Sequence, residues 1–467
     1  MVEAIRRVFI IFLILLAPSV AIAQETQSPT AGQKQAEPGS KEPEQRPTGL
    51  PSAMDWTFNF DAGWGNFGFA NSLFNNPKEP VQENLSDQWF EGFVKPALGG
   101  VYSTSAGSQF YGKISVVGER TYGSVPEAFG TDVSSFGPED LSIGWRSGTA
   151  LKGSDNLVDV VIGRTQYRLG HGFLVWDGAS EGGSRGGFWT NARKAFQFAA
   201  VGKVQPGPHK IETFYLDKDE LDESDSGSRV WGANYEFRSG KDDSTTLGAT
   251  YMKAASNQET EIKPWRDGMN VFNARAYTAP VPTMPNLSFE FEYASERNGD
   301  AIDSQAWTLQ GAYQLSDEFM WKPKIFYRYA FFEGDDPTTP ANEGWDPLFL
   351  GWYDWGQWWQ GEIAGEYFLS NSNLKSHEIR LHVTPNEKLS GGLMLFKFSL
   401  DHPESYGPGV TSTDVAWELD AYADWKLNSN FTVSLLGAYA DPGKAVQQFA
   451  DRTKNFAYGM VYLGYSF

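Results

Sequence analysis

From Trp56 to the end of the chain, apolar and polar side chains alternate with a period of two, not the 3.6 that is typical of helices. The segment LSFEFEYASE (287–296) places its leucine, phenylalanines and tyrosine on one face and Glu290 and Glu292 on the other. VAWELDAYADWK (415–426) repeats this arrangement, with Glu418 and Asp420 on the polar face. Such alternation over ten or more residues predicts long strands with one apolar and one polar face.

The length of these strands distinguishes between two classes of β protein. Strands of globular proteins average about 5–6 residues, whereas strands that cross a membrane need about 9–11. The length therefore favours a transmembrane barrel over a soluble β-sandwich. Strands are predicted to begin near residues 56, 89, 108, 139, 156, 188, 208, 228, 244, 267, 286, 303, 320, 373, 388, 414, 430 and 455.

The predicted connections alternate between short and long. The short ones are 103–107, 205–208, 239–243, 315–318, 385–388 and 427–430. Segment 358–370 resembles a further strand, but an antiparallel barrel with both ends on one side needs an even number, so 333–372 is assigned to one long outer loop. The prediction is an all-β, transmembrane antiparallel β-barrel of about 18 strands, with short periplasmic turns and long outer loops.

The two ends of the chain predict how the protein reaches a membrane. Residues 1–23 combine Arg6 and Arg7, an apolar run and an A-x-A site, which is typical of a cleaved secretory signal peptide. Residues 24–53 lack aromatic side chains and predict a disordered periplasmic extension, which leaves 54–467 as the barrel. The final segment 455–467 predicts the strand that closes the barrel, with Tyr465 and Phe467 facing lipid. By resemblance to outer-membrane barrels, an aromatic terminus is read by the barrel assembly machinery.

Composition supports the same location and excludes several classes of function. Aromatic residues make up 15% of the chain and there are 49 glycines, as expected for aromatic girdles around a polar lumen. The absence of cysteine excludes disulfides and cysteine metal sites, and a net charge of −20 argues against nucleic acid. We expect a monomer in the Gram-negative outer membrane that contacts lipid and lipopolysaccharide.

Catalytic and metal-binding motifs are missing. The five histidines (His171, His209, His377, His382 and His402) do not form H-E-x-x-H or another zinc spacing, and G-x-S-x-G does not occur. We therefore predict no enzyme activity, no catalytic residue, no metal and no cofactor.

The segment 163–210 is basic within an acidic protein, with seven basic residues against two acidic ones, Asp177 and Glu181. Arginines inside a barrel attract anions and bind carboxylates through two hydrogen bonds. Alternatively, this segment is an outer loop that binds lipid phosphates or is merely solvated. Arg164 shares the parity of the apolar positions before it, so it must lie at the membrane edge or follow a β-bulge. The predicted anion contacts are Arg164, Arg168, Arg193 and Lys194, with Arg238 and Arg380 on the polar faces of their strands.

The long outer loop is rich in tryptophan. An aromatic platform at a pore mouth could stack sugar rings; alternatively, the rings pack on neighbouring loops or lie in the interface belt. The candidates are Trp345, Trp352, Trp355, Trp358 and Trp359.

The segment GRTQYRLGHG…FWTNARKAF resembles the alginate export family of outer-membrane barrels, through Gly163, Arg164, Gln166, Gly170, Trp189, Asn191, Arg193 and Phe196. EGDDP…WDPLF (333–337 and 345–349) and 418–443 are similar to further elements of that family. The resemblance implies an 18-stranded barrel that exports an anionic polysaccharide through an arginine-lined pore gated by inward-folded loops. The chain departs from the family pattern at Tyr167-Arg168 and at Gln197.

Three hypotheses for function follow. The first is an alginate-export-like channel for passive passage of a hydrophilic, anionic saccharide. The second is a general or cation-preferring porin, because the polar strand faces carry more carboxylates than cations, which would repel a polyuronate. The third is a barrel adhesin or an outer-membrane enzyme.

Overall fold

The computed structural model describes residues 54–71, 86–123, 132–152, 155–257, 263–316, 318–351, 361–364, 369–450 and 454–467. The predicted signal peptide (1–23) and extension (24–53) lie outside these residues. The described chain forms an 18-stranded antiparallel sheet that closes on itself, which confirms the predicted fold class. The strands are β1 (Met54–Ala70), β2 (Ser86–Ser103), β3 (Gln109–Gly123), β4 (Ser134–Arg146), β5 (Val158–Thr165), β6 (Phe196–Val204), β7 (His209–Asp217), β8 (Arg229–Ser239), β9 (Thr245–Ala255), β10 (Asn270–Thr278), β11 (Leu287–Arg297), β12 (Asp303–Gln314), β13 (Lys324–Phe332), β14 (Leu374–Asn386), β15 (Leu389–Ser399), β16 (Asp414–Lys426), β17 (Phe431–Pro442) and β18 (Phe456–Ser466).

The barrel closes between its first and last strands, as predicted for the C-terminal segment. β1 pairs with β18 from Asp61↔Ser466 to Ala70↔Ala457, and with β2 on its other side. Beyond this ladder, the main chains of Phe60 and Phe467 exchange two hydrogen bonds of 3.0 Å. The Tyr465 ring packs on Phe431 at 4.6 Å between ring centroids. Closure leaves the sheet without an unpaired edge, which a barrel in lipid requires.

The two faces of the strands are reversed relative to a soluble protein. On β16, Trp417 and Trp425 are 51% and 53% exposed, whereas Glu418 and Asp420 are 1% and 0% exposed. Apolar side chains thus cover the outside and carboxylates face the inside, as in barrels whose outer surface meets lipid. In the described part of the chain, no helix is long and apolar enough to cross a membrane.

Most predicted strand starts lie within a few residues of the observed ones, with exceptions at the fourth, sixth and thirteenth strands. The sixth strand begins at Phe196 and not near residue 188, because main-chain N–H groups in 188–195 bond to wall carboxylates and not to a neighbouring strand. The fourth begins earlier, at Ser134, and the thirteenth later, at Lys324. Leaving 358–370 out of the strand count was correct, since none of the 18 strands includes its described residues.

The connections fall on two rims. We call the end with both chain ends of the barrel, Met54 and Phe467, the short-turn rim, and the opposite end the loop rim. The remaining elements are short helices: Gly182–Arg185, Lys241–Asp243, Pro264–Arg266, Pro403–Ser405 and Lys444–Ala450. Two long connections at the loop rim fold into the barrel. We call 166–195, between β5 and β6, the first inward loop, and the described residues of 333–373, between β13 and β14, the second inward loop.

Candidate functional site

The first inward loop is attached to the barrel wall through its main-chain N–H groups. Glu91 on β2 accepts hydrogen bonds from Trp189 N at 2.9 Å and from Thr190 N at 2.9 Å, and the Thr190 hydroxyl adds a third at 3.0 Å. A loop inside a barrel has no strand partner for these groups, so a buried carboxylate is an effective substitute. Glu91 therefore positions residues 189 and 190 of the loop.

Two neighbouring strands continue this row of carboxylates. Glu119 on β3 accepts a hydrogen bond from Ala192 N at 2.8 Å. Glu139 on β4 accepts from Lys194 N at 2.8 Å and from Ala195 N at 3.2 Å. The last turn of the loop is thus held along three adjacent strands, up to the point where β6 begins.

The other part of the first inward loop reaches a separate section of wall. The His171 ring stacks on Tyr277 of β10, with centroids 3.9 Å apart and an interplanar angle of 3°. Its Nδ1 lies 3.2 Å from Oε2 of Glu290 on β11. Gly170 has a φ of +54°, and a Cβ there would lie 2.9 Å from the Tyr277 hydroxyl, so glycine permits this close approach. The loop therefore spans the lumen from β2 to β11.

The second inward loop is held by a buried ion pair. Arg266, in the short helix between β9 and β10, bonds both oxygens of Asp346, at 2.6 Å through Nε and 2.5 Å through Nη2. Trp265 Nε1 donates to the same carboxylate at 2.6 Å. Burial by itself raises the pKa of Asp346, but the Arg266 guanidinium and these hydrogen bonds hold that pKa well below its ordinary range. Asp346 therefore stays ionised and keeps the WDPLF element in place.

The two inward loops also bond to each other. Trp176 N donates to Phe349 O at 2.7 Å, and Phe349 N donates to Leu174 O at 3.0 Å. Gly351 N donates to Gly172 O at 3.0 Å. These main-chain bonds make the loops one connected structure inside the barrel.

Farther along the second inward loop, the turn 361–364 meets β16. Ile363 N and Ala364 N donate to the two oxygens of Glu418 at 2.7 and 2.8 Å. Glu362 Oε2 accepts a hydrogen bond of 3.5 Å from Trp189 Nε1 of the first inward loop. This turn thus contacts both the wall and the other loop.

Four of the predicted basic residues lie near the two ends of the first inward loop, where it joins β5 and β6. Arg164 lies within a shift in register between Gly163 and Thr165 at the end of β5, which fits both predicted alternatives, a membrane-edge position and a β-bulge. It pairs with Asp219 in the β7–β8 loop. Arg193 pairs with Glu119 at 3.3 Å and Lys194 with Asp177 at 2.7 Å. Arg168 is exposed, with its guanidinium 4.8 Å from the Trp176 ring centroid. In this arrangement Arg164, Arg193 and Lys194 fix the loop, and their contact with anions stays a prediction.

Arg238 and Arg380 lie apart from that group, on β8 and β14. Arg238 Nη2 is 2.7 Å from Glu236. Arg380 is buried, with Nε 3.6 Å from Glu378 and its guanidinium 4.0 Å from the Phe326 ring centroid. Each arginine therefore neutralises a carboxylate of the wall.

Of the predicted aromatic platform, only Trp345 is among the described residues. It is 2% exposed and packs near Phe173, with ring centroids 6.3 Å apart. A buried ring offers no face to a solute. Trp352, Trp355, Trp358 and Trp359 lie outside the described residues, so their stacking role stays a prediction.

The sequence interpretation missed several residues that organise the lumen. Arg275 on β10 bonds Glu236 at 2.8 Å, Thr250 at 2.9 Å and Asn273 at 2.8 Å. Arg328 on β13 pairs with Glu378 at 3.2 Å. Arg275 and Arg328 occupy inward-facing positions of their strands, so the alternation of side chains could have identified them. Parity also places Glu91 inside, but it does not reveal its loop partners, and Arg266 could not be found in that way because it belongs to a loop helix and not to a strand. Among the described residues, no cluster of three or more His, Asp or Glu side chains could hold a metal.

Comparison with known proteins gives a fold but not a family. No family model and no curated protein matches the chain. Solved structures do: Pseudomonas aeruginosa OpdQ has a TM-score of 0.55 at 12% identity, covering 88% of this chain and 98% of that one. OccK9 (OpdG) and OccK7 (OpdD) of the same organism have TM-scores of 0.55 and 0.53 at 11% identity, with 88% and 89% of this chain and 98% and 99% of theirs covered. The alginate-export resemblance stays a prediction.

Proposed function

We propose that the protein is an outer-membrane channel for passive passage of small hydrophilic solutes, with a preference for anions. The similar solved barrels are outer-membrane porins. The observation that carries the proposal is the first inward loop, which crosses the lumen from Glu91 to Glu290 and narrows it. Constriction by an inward loop turns a wide barrel into a selective passage.

The charges of the lumen support the anion preference. The wall carboxylates are buried and engaged: Glu236 with Arg238 and Arg275, and Glu378 with Arg328. Others, such as Glu91 and Glu418, accept hydrogen bonds from loop main chain. These acids are therefore poorly placed to repel an anion, although they outnumber the cations on the polar strand faces.

Among the described residues, two of the cations at inward-facing strand positions illustrate how such side chains stay partly open to water. The side chains of Lys113 on β3 and Arg238 on β8 are 43% and 31% exposed, whereas their partners Asp140 and Glu236 are 3% and 5% exposed. A solute in the lumen thus meets the cation of each pair more readily than the acid. An acidic saccharide, as the alginate-export resemblance implies, is the first solute class to test.

Reversal potentials across planar bilayers under a KCl gradient test the proposal. We expect chloride preference in the unmodified barrel and a shift toward potassium in the Lys113→Glu, Arg238→Glu double variant. Lys388→Glu, in the exposed β14–β15 turn, is the matched control and should leave selectivity unchanged. Short oligouronates should block the current, and neutral oligosaccharides of equal length should not. Cation preference in the unmodified barrel would refute the anion preference, and absence of conductance would refute the channel.

A further inference from the structure

Three carboxylates meet where the turn 361–364 lies on β16. Glu362 N donates to Asp420 Oδ2 at 3.3 Å, while the next two residues bond Glu418. Asp420 is 0% exposed, and its Oδ1 has no hydrogen-bond partner among the described residues. Gly361 has a φ of +69°, and a Cβ there would lie 2.6 Å from Glu418 Oε1, so the main chain is pressed against the carboxylate.

The flanking strands present no charge at this level. Across the ladders, Glu418 faces Phe396 of β15 and Ala440 of β17, and Asp420 faces Met394 and Ala438. All four of these apolar side chains are buried.

Charged groups elsewhere on β16 and on the elements packed around it have partners of their own or are exposed. One strand beyond β15, Arg380 of β14 lies near Glu378 and over Phe326. Asp424, farther along β16, accepts a hydrogen bond of 2.5 Å from Ser434. The helix Lys444–Ala450 packs next to β16 and carries one charged residue, Lys444, whose side chain is exposed. The first inward loop contributes Trp189, which is uncharged.

We propose that Glu362, Glu418 and Asp420 form a proton-dependent latch, in which protons bound by these acids keep the turn 361–364 docked on β16 and their loss releases it. Like charges in a water-poor site cannot all ionise, so ionisation of the group must either be suppressed or separate its members. Separation is possible because Glu362 belongs to a loop, whereas Glu418 and Asp420 belong to a strand. Trp189 bonds Glu362, so release also removes a contact of the first inward loop.

The direction of the pH effect follows from the docked state. Burial and the neighbouring Glu418 charge raise the pKa of Glu362 from 4.5 to about 8, although the Trp189 hydrogen bond acts in the opposite direction. An undocked Glu362 in water would return to its ordinary pKa, so the docked state binds more protons between those two values. The contribution of the Glu362 proton to docking is therefore greatest below about pH 4.5 and weakens as pH rises, by up to about tenfold per pH unit until about pH 8.

Thiol labelling of the complete chain in lipid vesicles tests the latch without requiring conductance. The chain has no cysteine, so Ala364→Cys introduces a single thiol at a fully buried position of the turn. The rate at which this thiol reacts with a neutral, water-soluble thiosulfonate is measured at each pH. It is divided by the rate for Ser429→Cys, in an exposed turn, because this ratio corrects for the effect of pH on thiol ionisation. We expect this ratio to rise at least tenfold between pH 5 and pH 8 and then level off.

Variants assign the effect to these carboxylates. Glu362→Gln and Asp420→Asn, each combined with Ala364→Cys, should flatten the pH dependence, whereas Glu387→Gln in the exposed β14–β15 turn should retain it. A ratio that does not change from pH 5 to pH 9, or a rise that persists in both carboxylate variants, would overturn the latch. The effect on current rests on the proposed function: pH-dependent labelling of a barrel that conducts nothing would refute the channel and support the latch.

Discussion

The ion pair between Arg266 and Asp346 should control the local stability of the inward loops. Asp346→Asn removes the charge that faces the buried Arg266 guanidinium, which is bonded at 2.6 and 2.5 Å. Removing one partner of a buried pair costs about 3–5 kcal/mol, because the other charge is left uncompensated. The substitution acts on a loop contact, so we expect local opening of 345–351 and of 172–177, which bonds to it, while the barrel strands stay folded.

Amide hydrogen exchange measures this opening. A loss of about 3–5 kcal/mol should accelerate exchange of Phe349 N and Trp176 N by about 150- to 5,000-fold, if exchange follows local opening. Asp336→Asn is the matched control: it lies in the same loop, is partly exposed, and its carboxylate bonds only to Thr338 among the described residues. It should change exchange at Phe349 less than about threefold, as for a surface substitution.

Two outcomes would contradict this reasoning. If Asp346→Asn leaves exchange at 345–351 close to that of Asp336→Asn, the ion pair does not hold the loop. If exchange accelerates equally in β16 and β17, the loop is part of the barrel's global stability and does not open alone. Replacing both partners, Arg266→Met with Asp346→Leu, should recover most of the protection, because no unpaired charge is then buried.

Three further substitutions test other contacts. Gly170→Ala places a Cβ on a residue with left-handed backbone conformation, 2.9 Å from the Tyr277 hydroxyl. It should destabilise the contact between His171 and Tyr277 by at least about 1 kcal/mol. Amide exchange at 170–172 measures this loss, and unchanged exchange would contradict the prediction. Glu91→Gln loses the charge-assisted hydrogen bonds from Trp189 N, so the free energy of opening of 188–191 should fall by about 1.5–3 kcal/mol. More frequent opening should increase the noise of the single-channel current. Gln88→Ala on the same strand is the control and should leave the current noise unchanged. Trp417→Arg places a charge on the outer face and should lower folding stability in bilayers by up to about 2–4 kcal/mol, whereas Trp417→Phe should not; equal stability of the two variants would argue against lipid contact there.

Strand parity predicted much of the fold correctly. The alternation in 415–426 places the tryptophans of β16 outside and Glu418 and Asp420 inside, as observed. The conflict in parity at Arg164 also predicted either a membrane-edge position or a β-bulge, and the register of β5 and β6 shifts at this residue. Both inferences depend only on neighbours in sequence, because a strand forces successive side chains to opposite faces.

The partners of the lumen side chains could not be predicted in this way. Parity places Glu91 and Glu418 inside, but it does not show that Glu91 receives Trp189 N or that Glu418 receives Ile363 N. The same limitation explains why the basic segment suggested open anion contacts, whereas Arg193 lies in an ion pair with Glu119. These pairs join residues far apart in the chain, so they depend on how the loops fold back into the barrel.

The alternation along the chain was thus sufficient to predict the barrel: its strands, their inner and outer faces, and its closure by the final segment. Alternation with a period of two depends only on residues adjacent in sequence. Each strand needs only the two strands beside it to pair its main-chain N–H and C=O groups. What fills the barrel depends on how the loops fold back into it. There, loop N–H groups without strand partners bond to wall carboxylates, and the proposed latch arises where Glu362 of a loop meets two wall carboxylates, Glu418 and Asp420.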